Sequence, residues 1–137
     1  LDDVGEADII LLGVSRTSKT PTSIYLANRG YKTINIPLVL DQTIPGDLKL
    51  KSNTTCIIGL VADPERLADI RRNRVAIMRE NNIKEYTDLD FIKDEVNKSK
   101  KLFNKYNWPI IDVTRKSVEE TAASILKILE IKKNKWN

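Results

Sequence analysis

Four short apolar runs, with little polar interruption, are spaced through the chain, and longer helix-patterned stretches separate them. Runs of this kind mark strands covered on both faces, and such strands joined by helical crossovers build a parallel sheet. Asp8-Ile-Ile-Leu-Leu-Gly13 is the first. Thr33 to Leu40 is the second, with Pro37 pointing to an edge position or an irregularity. Thr54 to Val61 is the third and Pro109 to Val113 the fourth. The reading is an α/β fold, a parallel sheet of about four strands flanked by helices.

The intervening segments carry helix signals. Lys19 to Asn28 reads as a helix closed by Gly30, the residue best suited to a left-handed C-terminal position. Asp41 to Asn53, with Pro45 and Gly46 among polar residues, reads as a loop. Asp63-Pro64-Glu65 opens a helix that runs to about Glu80, since Asp caps free N–H groups and Pro suits the first helical position. Asn81-Asn82 breaks it. A long amphipathic helix follows with Leu89, Ile92, Val96, Phe103 and Tyr106 on one face. Ser117-Val-Glu-Glu120 is a capping box, after which Val118, Ala122, Ile125, Leu126 and Leu129 recur at helical spacing. Repeats and low-complexity linkers are absent, and 137 residues suffice for one domain and not two. The domain is read as residues 1–137.

The segment that carries chemistry is Gly13-Val14-Ser15-Arg16-Thr17-Ser18-Lys19-Thr20. It matches the phosphate-binding P-loop pattern G-x-x-x-x-G-K-[ST] except that Ser18 stands where the second glycine belongs. Its place between a buried strand and a helix is the one the physics requires. The backbone wraps with its N–H groups inward, and the helix N-terminus adds the positive end of its dipole. Lys19 is suited to terminal phosphate oxygens and the Thr20 hydroxyl to Mg²⁺. If position 18 needs a positive φ, serine there costs about 1–2 kcal/mol and the loop still forms. The competing reading is a Ser/Thr-rich turn with an exposed lysine.

Other side chains stand as candidates. Arg16 pairs well with a transferred phosphoryl group, or is an exposed arginine at a loop tip. Asp41 and Asp63 follow the carboxyl ends of strands, the edge where α/β ligands bind. Asp63 reads first as a helix cap, and Asp41 equally as a loop residue or as a base or metal helper. Arg66, Arg71, Arg72, Arg74 and Arg79 lie on one predicted helix. One or two of them, Arg71 foremost, are candidates to face a nucleotide, with Glu65 or Asp69 available as ion-pair partners.

Composition removes several chemistries. With no histidine and one cysteine, Cys56, an intramolecular disulfide and a His/Cys zinc site are excluded, and proton transfer falls to carboxylates or substrate oxygens. The net charge of +4 alone favours nucleic acid; without basic-aromatic interleaving that partner is set aside. The runs Lys98 to Lys105 and Lys132 to Lys135 read as solvated helix faces. No apolar run approaches the roughly 20 residues needed to span a bilayer, and no signal peptide opens the chain, so a cytoplasmic protein without a membrane partner is expected. Leu1 in place of an initiating methionine points to a piece of a longer protein whose upstream part is missing.

The stretch Ala7 to Ala27 resembles the P-loop region of the bifunctional pyruvate, phosphate dikinase regulatory proteins, whose bacterial relatives act on phosphoenolpyruvate synthase. Further stretches agree: Gly30-Tyr-Lys-Thr, Asn35-Ile-Pro-Leu-Val39, Gly59-Leu, Asp63-Pro-Glu-Arg-Leu67 with Ile70-Arg71, Trp108-Pro-Ile-Ile-Asp112 and Ser117-Val-Glu-Glu-Thr-Ala122. The resemblance spans nearly all of this chain and corresponds to the C-terminal half of such proteins. It implies a serine/threonine kinase that uses ADP as donor and phosphorylates a threonine of the dikinase. It also implies removal of that phosphate by inorganic phosphate, with pyrophosphate as product. The family's ADP-binding segment maps onto Gly13 to Thr20. Partners so implied are pyruvate, phosphate dikinase or phosphoenolpyruvate synthase, and ADP. The oligomeric state is left open, a homodimer included. Two rivals stand beside this reading: a small-molecule P-loop kinase of the shikimate or nucleotide kinase type, and a nucleotide-binding domain without catalysis.

Overall fold

In the computed structural model, residues 7–38, 55–78 and 86–136 are described. Strands β1 (Ile9–Gly13), β2 (Thr33–Pro37), β3 (Cys56–Val61) and β4 (Ile110–Asp112) alternate with helices α1 (Lys19–Asn28), α2 (Pro64–Met78), α3 (Leu89–Lys105) and α4 (Val118–Trp136). The strands form one sheet in the order β2-β1-β3-β4, and every neighbouring pair is parallel. The chain steps from β1 to β2 on one side and then returns to the other side for β3. Such a reversal opens a crevice at the carboxyl ends of the strands, where doubly wound sheets take their ligands.

All residues of β1 and β3 are buried. Alternation along the strands divides them between two faces. Ile9, Leu11, Cys56, Ile58 and Leu60 join the cluster that includes Leu26 of α1, Leu67 and Ala68 of α2, and Ala122, Ile125 and Leu129 of α4. Ile10, Leu12, Ile57 and Val61 face the other way, with Phe103 and Trp108. Among the described residues β2 pairs only with β1, and it is half exposed, the edge position to which Pro37 points. The ladder still passes the proline, because the Leu38 amide donates to the Gly13 carbonyl at 3.0 Å.

The helix ends follow their local chemistry. α1 closes with Gly30 at φ +93°, its amide donating to Ala27 O and that of Tyr31 to Leu26 O. These two bonds form the paired closure that a left-handed glycine permits. The Arg66 amide donates to the Asp63 carboxylate at 3.2 Å, and the Phe91 amide donates to Asp88 at 3.1 Å. Ser117 and Glu120 cap α4 reciprocally at 3.2 and 3.1 Å. The predicted helix break at Asn81-Asn82 and the loop at 41–53 lie outside the described residues. All four strands are shorter than expected, β1 starting at Ile9 rather than Asp8 and β2 ending at Pro37 rather than Leu40. β4 covers three residues, although Pro109 O and the Val113 amide extend its bonding to Gly59 and Val61. β3 starts at Cys56 rather than Thr54.

Gly59 sits where β3 passes under α3, and a Cβ placed there collides with the ring of Phe103. Glycine is required for closeness of approach. Gly59→Ala is expected to destabilise the fold by about 1–3 kcal/mol through overpacking, read as a lower urea midpoint. Combined with Phe103→Leu it should cost less than the sum of the two single changes; strict additivity in the denaturation curves refutes the contact.

Candidate functional site

The turn from β1 to α1 is drawn tight at both ends. A Cβ on Gly13 falls 2.6 Å from Thr17 Oγ1 and 2.9 Å from the Leu60 carbonyl, so only glycine lets the chain leave β1 against its neighbour strand. Val14 and Thr17 turn inward and are buried. The Thr17 hydroxyl donates to the Val14 carbonyl at 2.9 Å, which folds the loop onto itself.

Arg16 (φ +72°) and Ser18 (φ +63°) are both left-handed. The strained φ anticipated for position 18 is thus present, at a cost of about 1–2 kcal/mol. Left-handed residues between right-handed ones turn successive amides to the same side, a concavity suited to anions. Ser18 is the N-cap of α1, yet its hydroxyl makes no capping bond, and the first turn holds no acidic residue. The helix therefore presents its N-terminal N–H groups uncapped by the Ser18 side chain.

Lys19 folds back over the loop. Its ammonium donates to the Val14 carbonyl at 2.8 Å and to Thr17 Oγ1 at 3.2 Å. Burial, then the nearby positive charges of Arg71 and Arg16, bring its pKa down to about 8. Arg16, Ser18, Lys19, Thr20, Pro21 and Ile70 line a pocket of about 260 Å³. Thr20 is exposed at its rim. The structure thus gathers Gly13 to Thr20 into one concave, positively charged site.

Arg71 differs from its neighbours on α2. Arg66, Arg72 and Arg74 are exposed, whereas Arg71 is 1% exposed; Arg79 lies outside the described residues. The partner of Arg71 is neither Glu65 nor Asp69, as spacing along the helix suggests, but Glu95 on α3, at 2.6 Å; Asp69 instead pairs with Arg72 at 3.5 Å. A buried guanidinium needs a closer carboxylate than a solvated helix face supplies. Arg71 also donates to the Ser15 carbonyl at 3.2 Å. Tyr86 and Glu95 were not singled out by sequence. Glu95 carried a signal, lying beside Val96 at the border of the apolar stripe of α3; Tyr86 carried none.

Asp63 lies elsewhere. Its carboxylate caps α2, its amide donates to the Thr114 hydroxyl at 2.7 Å, and it lines a separate hollow of about 680 Å³ with Asp112, Thr114 and Glu120. Asp41 lies outside the described residues. No group of three or more His, Cys, Asp or Glu residues suited to a metal ion occurs among the described residues. Nor is any helix among them long and apolar enough to cross a membrane.

A kinase/pyrophosphorylase family model matches residues 1–126. A protein of Pelagibacter ubique named as a pyruvate, phosphate dikinase regulatory protein is 62% identical over 134 residues, covering 98% of this chain and 49% of its own length. Proteins of the same name from Maricaulis maris and Rickettsia massiliae are 50% and 46% identical, covering 97% and 100% of this chain and 47% and 50% of their own. The chain spans about half the length of the curated relatives it matches.

Ser18→Gly should relieve the left-handed strain while adding freedom to the unfolded chain. The difference leaves a net gain of about 0.5–1 kcal/mol. A rise in the urea midpoint at unchanged slope is the expected result, and a fall contradicts the assigned conformation.

Proposed function

The chain belongs to the kinase/pyrophosphorylase family, and on that premise we propose that it is the nucleotide-binding part of a regulator of pyruvate, phosphate dikinase or phosphoenolpyruvate synthase. In this reading it transfers the β-phosphoryl group of ADP to a threonine hydroxyl of the target, leaving AMP. The same site reverses the mark by phosphorolysis: inorganic phosphate attacks the phosphothreonine, giving pyrophosphate and the free hydroxyl. The observation that carries the proposal is the β1–α1 turn, where two left-handed residues, an uncapped helix start and Lys19 converge.

Phosphoryl transfer asks for positioning and charge neutralisation more than for covalent chemistry by the protein. The amides of Val14 to Lys19 would cradle the ADP phosphates, with Lys19 at the terminal oxygens and Arg16 steadying the migrating group. Thr20 supplies one hydroxyl, which fits a Mg²⁺ ion held mainly by phosphate oxygens and water rather than by a protein cage. When bound, that ion neutralises charge on the phosphates. Asp63 is given no role in this reading, since its carboxylate caps α2 and lines a separate hollow. A single pocket that seats either the ADP β-phosphate or free phosphate accounts for both directions.

Replacing Lys19 with Ala is expected to remove ADP-dependent phosphorylation and phosphorolysis together, by two orders of magnitude or more in kcat/KM, equivalent to about 3 kcal/mol. Loss of one activity alone contradicts the shared cradle. ADP and inorganic phosphate should also compete in a binding titration; simultaneous binding without mutual weakening refutes the single pocket. Binding of ADP by this chain without turnover, restored by adding the rest of a full-length relative, assigns it the nucleotide-binding role alone.

The pH dependence has a definite sign. A bound anion favours the charged form of Lys19 and raises its pKa above the free value of about 8, so protons are taken up on binding. ADP affinity should be level between about pH 7 and 8 and fall above that, approaching tenfold per pH unit. Affinity that stays constant from pH 7 to 10 in calorimetry excludes Lys19 as the anion's partner.

A further inference from the structure

Arg71 is the largest fully buried side chain among the described residues, and phosphoryl transfer by the β1–α1 turn assigns it no part. A guanidinium that deep persists where its N–H groups are engaged. Nη1 donates to Glu95 Oε1 at 2.6 Å and to the Tyr86 carbonyl at 3.2 Å. Nη2 donates to the Ser15 carbonyl at 3.2 Å. The cation lies 4.6 Å from the centre of the Tyr86 ring, and the Tyr86 hydroxyl shares a 2.8 Å hydrogen bond with that of Ser15. One edge of the fork is thus fixed to α3 and the Tyr86 backbone, the other to the β1–α1 turn.

Ser15 C=O and Arg16 N–H belong to one planar trans peptide group and point in opposite directions. Holding the carbonyl toward Arg71 therefore aims the Arg16 amide away from it. Arg16 is also the first left-handed residue of the turn, so this peptide plane sets the entry to the concavity. We propose that Arg71, clamped by Glu95 and Tyr86, is a positioning residue that orients the Ser15–Arg16 peptide group for a phosphate it does not itself touch. The inference rests on the phosphate-binding reading of the turn and adds to it how the turn is held. Arg71 thus links α3, through the Glu95 ion pair, to the turn, through the Ser15 carbonyl.

The opposing possibility is that Arg71 is itself a phosphate ligand, through the Nε that has no hydrogen-bond partner in the structure. The two predict opposite signs. Glu95→Gln loosens a positioning clamp, and affinity for inorganic phosphate and for ADP should fall roughly tenfold, the worth of one charge-assisted hydrogen bond. If Arg71 is a ligand, the same change releases it toward the anion and affinity rises. Arg71→Lys keeps the charge but loses the fork; its affinity should match that of Glu95→Gln, and the double variant should fall no further.

The backbone amide resonance of Arg16 in the anion-free chain is the second readout. It should move in both variants while the amides of β3 stay in place. An unmoved Arg16 resonance, or affinity that rises or holds in Glu95→Gln, overturns the positioning role. Failure of the unmodified chain to bind phosphate or ADP overturns the anion reading instead, and the Arg16 resonance still tests the clamp. Should Arg71→Lys fail to fold, Glu95→Gln and Tyr86→Phe carry the test, the latter with a loss of roughly threefold.

Discussion

The fold turns on how closely the chain can leave its central strand. β1 is buried on both faces and bonded on both edges, so its carboxyl end leaves the sheet hemmed in by its neighbours. At Gly13 that exit runs so close to Leu60 and Thr17 that a Cβ there would overlap both. Everything downstream inherits the constraint. The turn has to reverse within five residues, the reversal needs left-handed backbone at Arg16 and Ser18, and α1 then begins with its amides facing the gap. A larger residue at position 13 would move the whole arrangement, because β1 cannot shift between its two partners.

The electrostatics follow from the same geometry. Arg16, Lys19 and Arg71 act on a small volume, where Arg71 is paired with Glu95. Burial above all, with the two guanidinium charges adding to it, disfavours the charged form of Lys19. The outcome is a concentration of positive charge that a bound anion would relieve. Cys56 shows how burial acts on a group with the opposite response: the thiol, at the start of an interior strand, is pushed up to about 11, which keeps it protonated and unreactive.

Much of the fold was legible because it rests on local rules. Continuous apolar runs marked β1 and β3, the Ser117/Glu120 box marked the start of α4, and Gly30 marked the end of α1. The positive φ at Ser18 was readable from a mismatch to a pattern. What escaped were relations between distant segments. The Arg71–Glu95 pair joins residues 24 apart in sequence on different helices, and no spacing rule on one helix reaches it; the local rule pointed to Glu65 or Asp69 instead. Likewise Asp63 sits at the correct edge of the sheet, but whether a carboxylate there caps a helix or meets a ligand depends on the neighbouring strand, which no local pattern reveals.

The hydrogen bond from Lys19 to the Val14 carbonyl has a bearing on selectivity. With that bond in place, the ammonium is already solvated by the protein, and an incoming anion gains only the difference between its own interaction and the one it displaces. Weakly basic anions such as chloride offer little more than a carbonyl oxygen does, whereas a phosphate dianion offers far more. On the proposed phosphate-binding reading of this turn, the resting contact would set a threshold that favours the anion with the highest charge density.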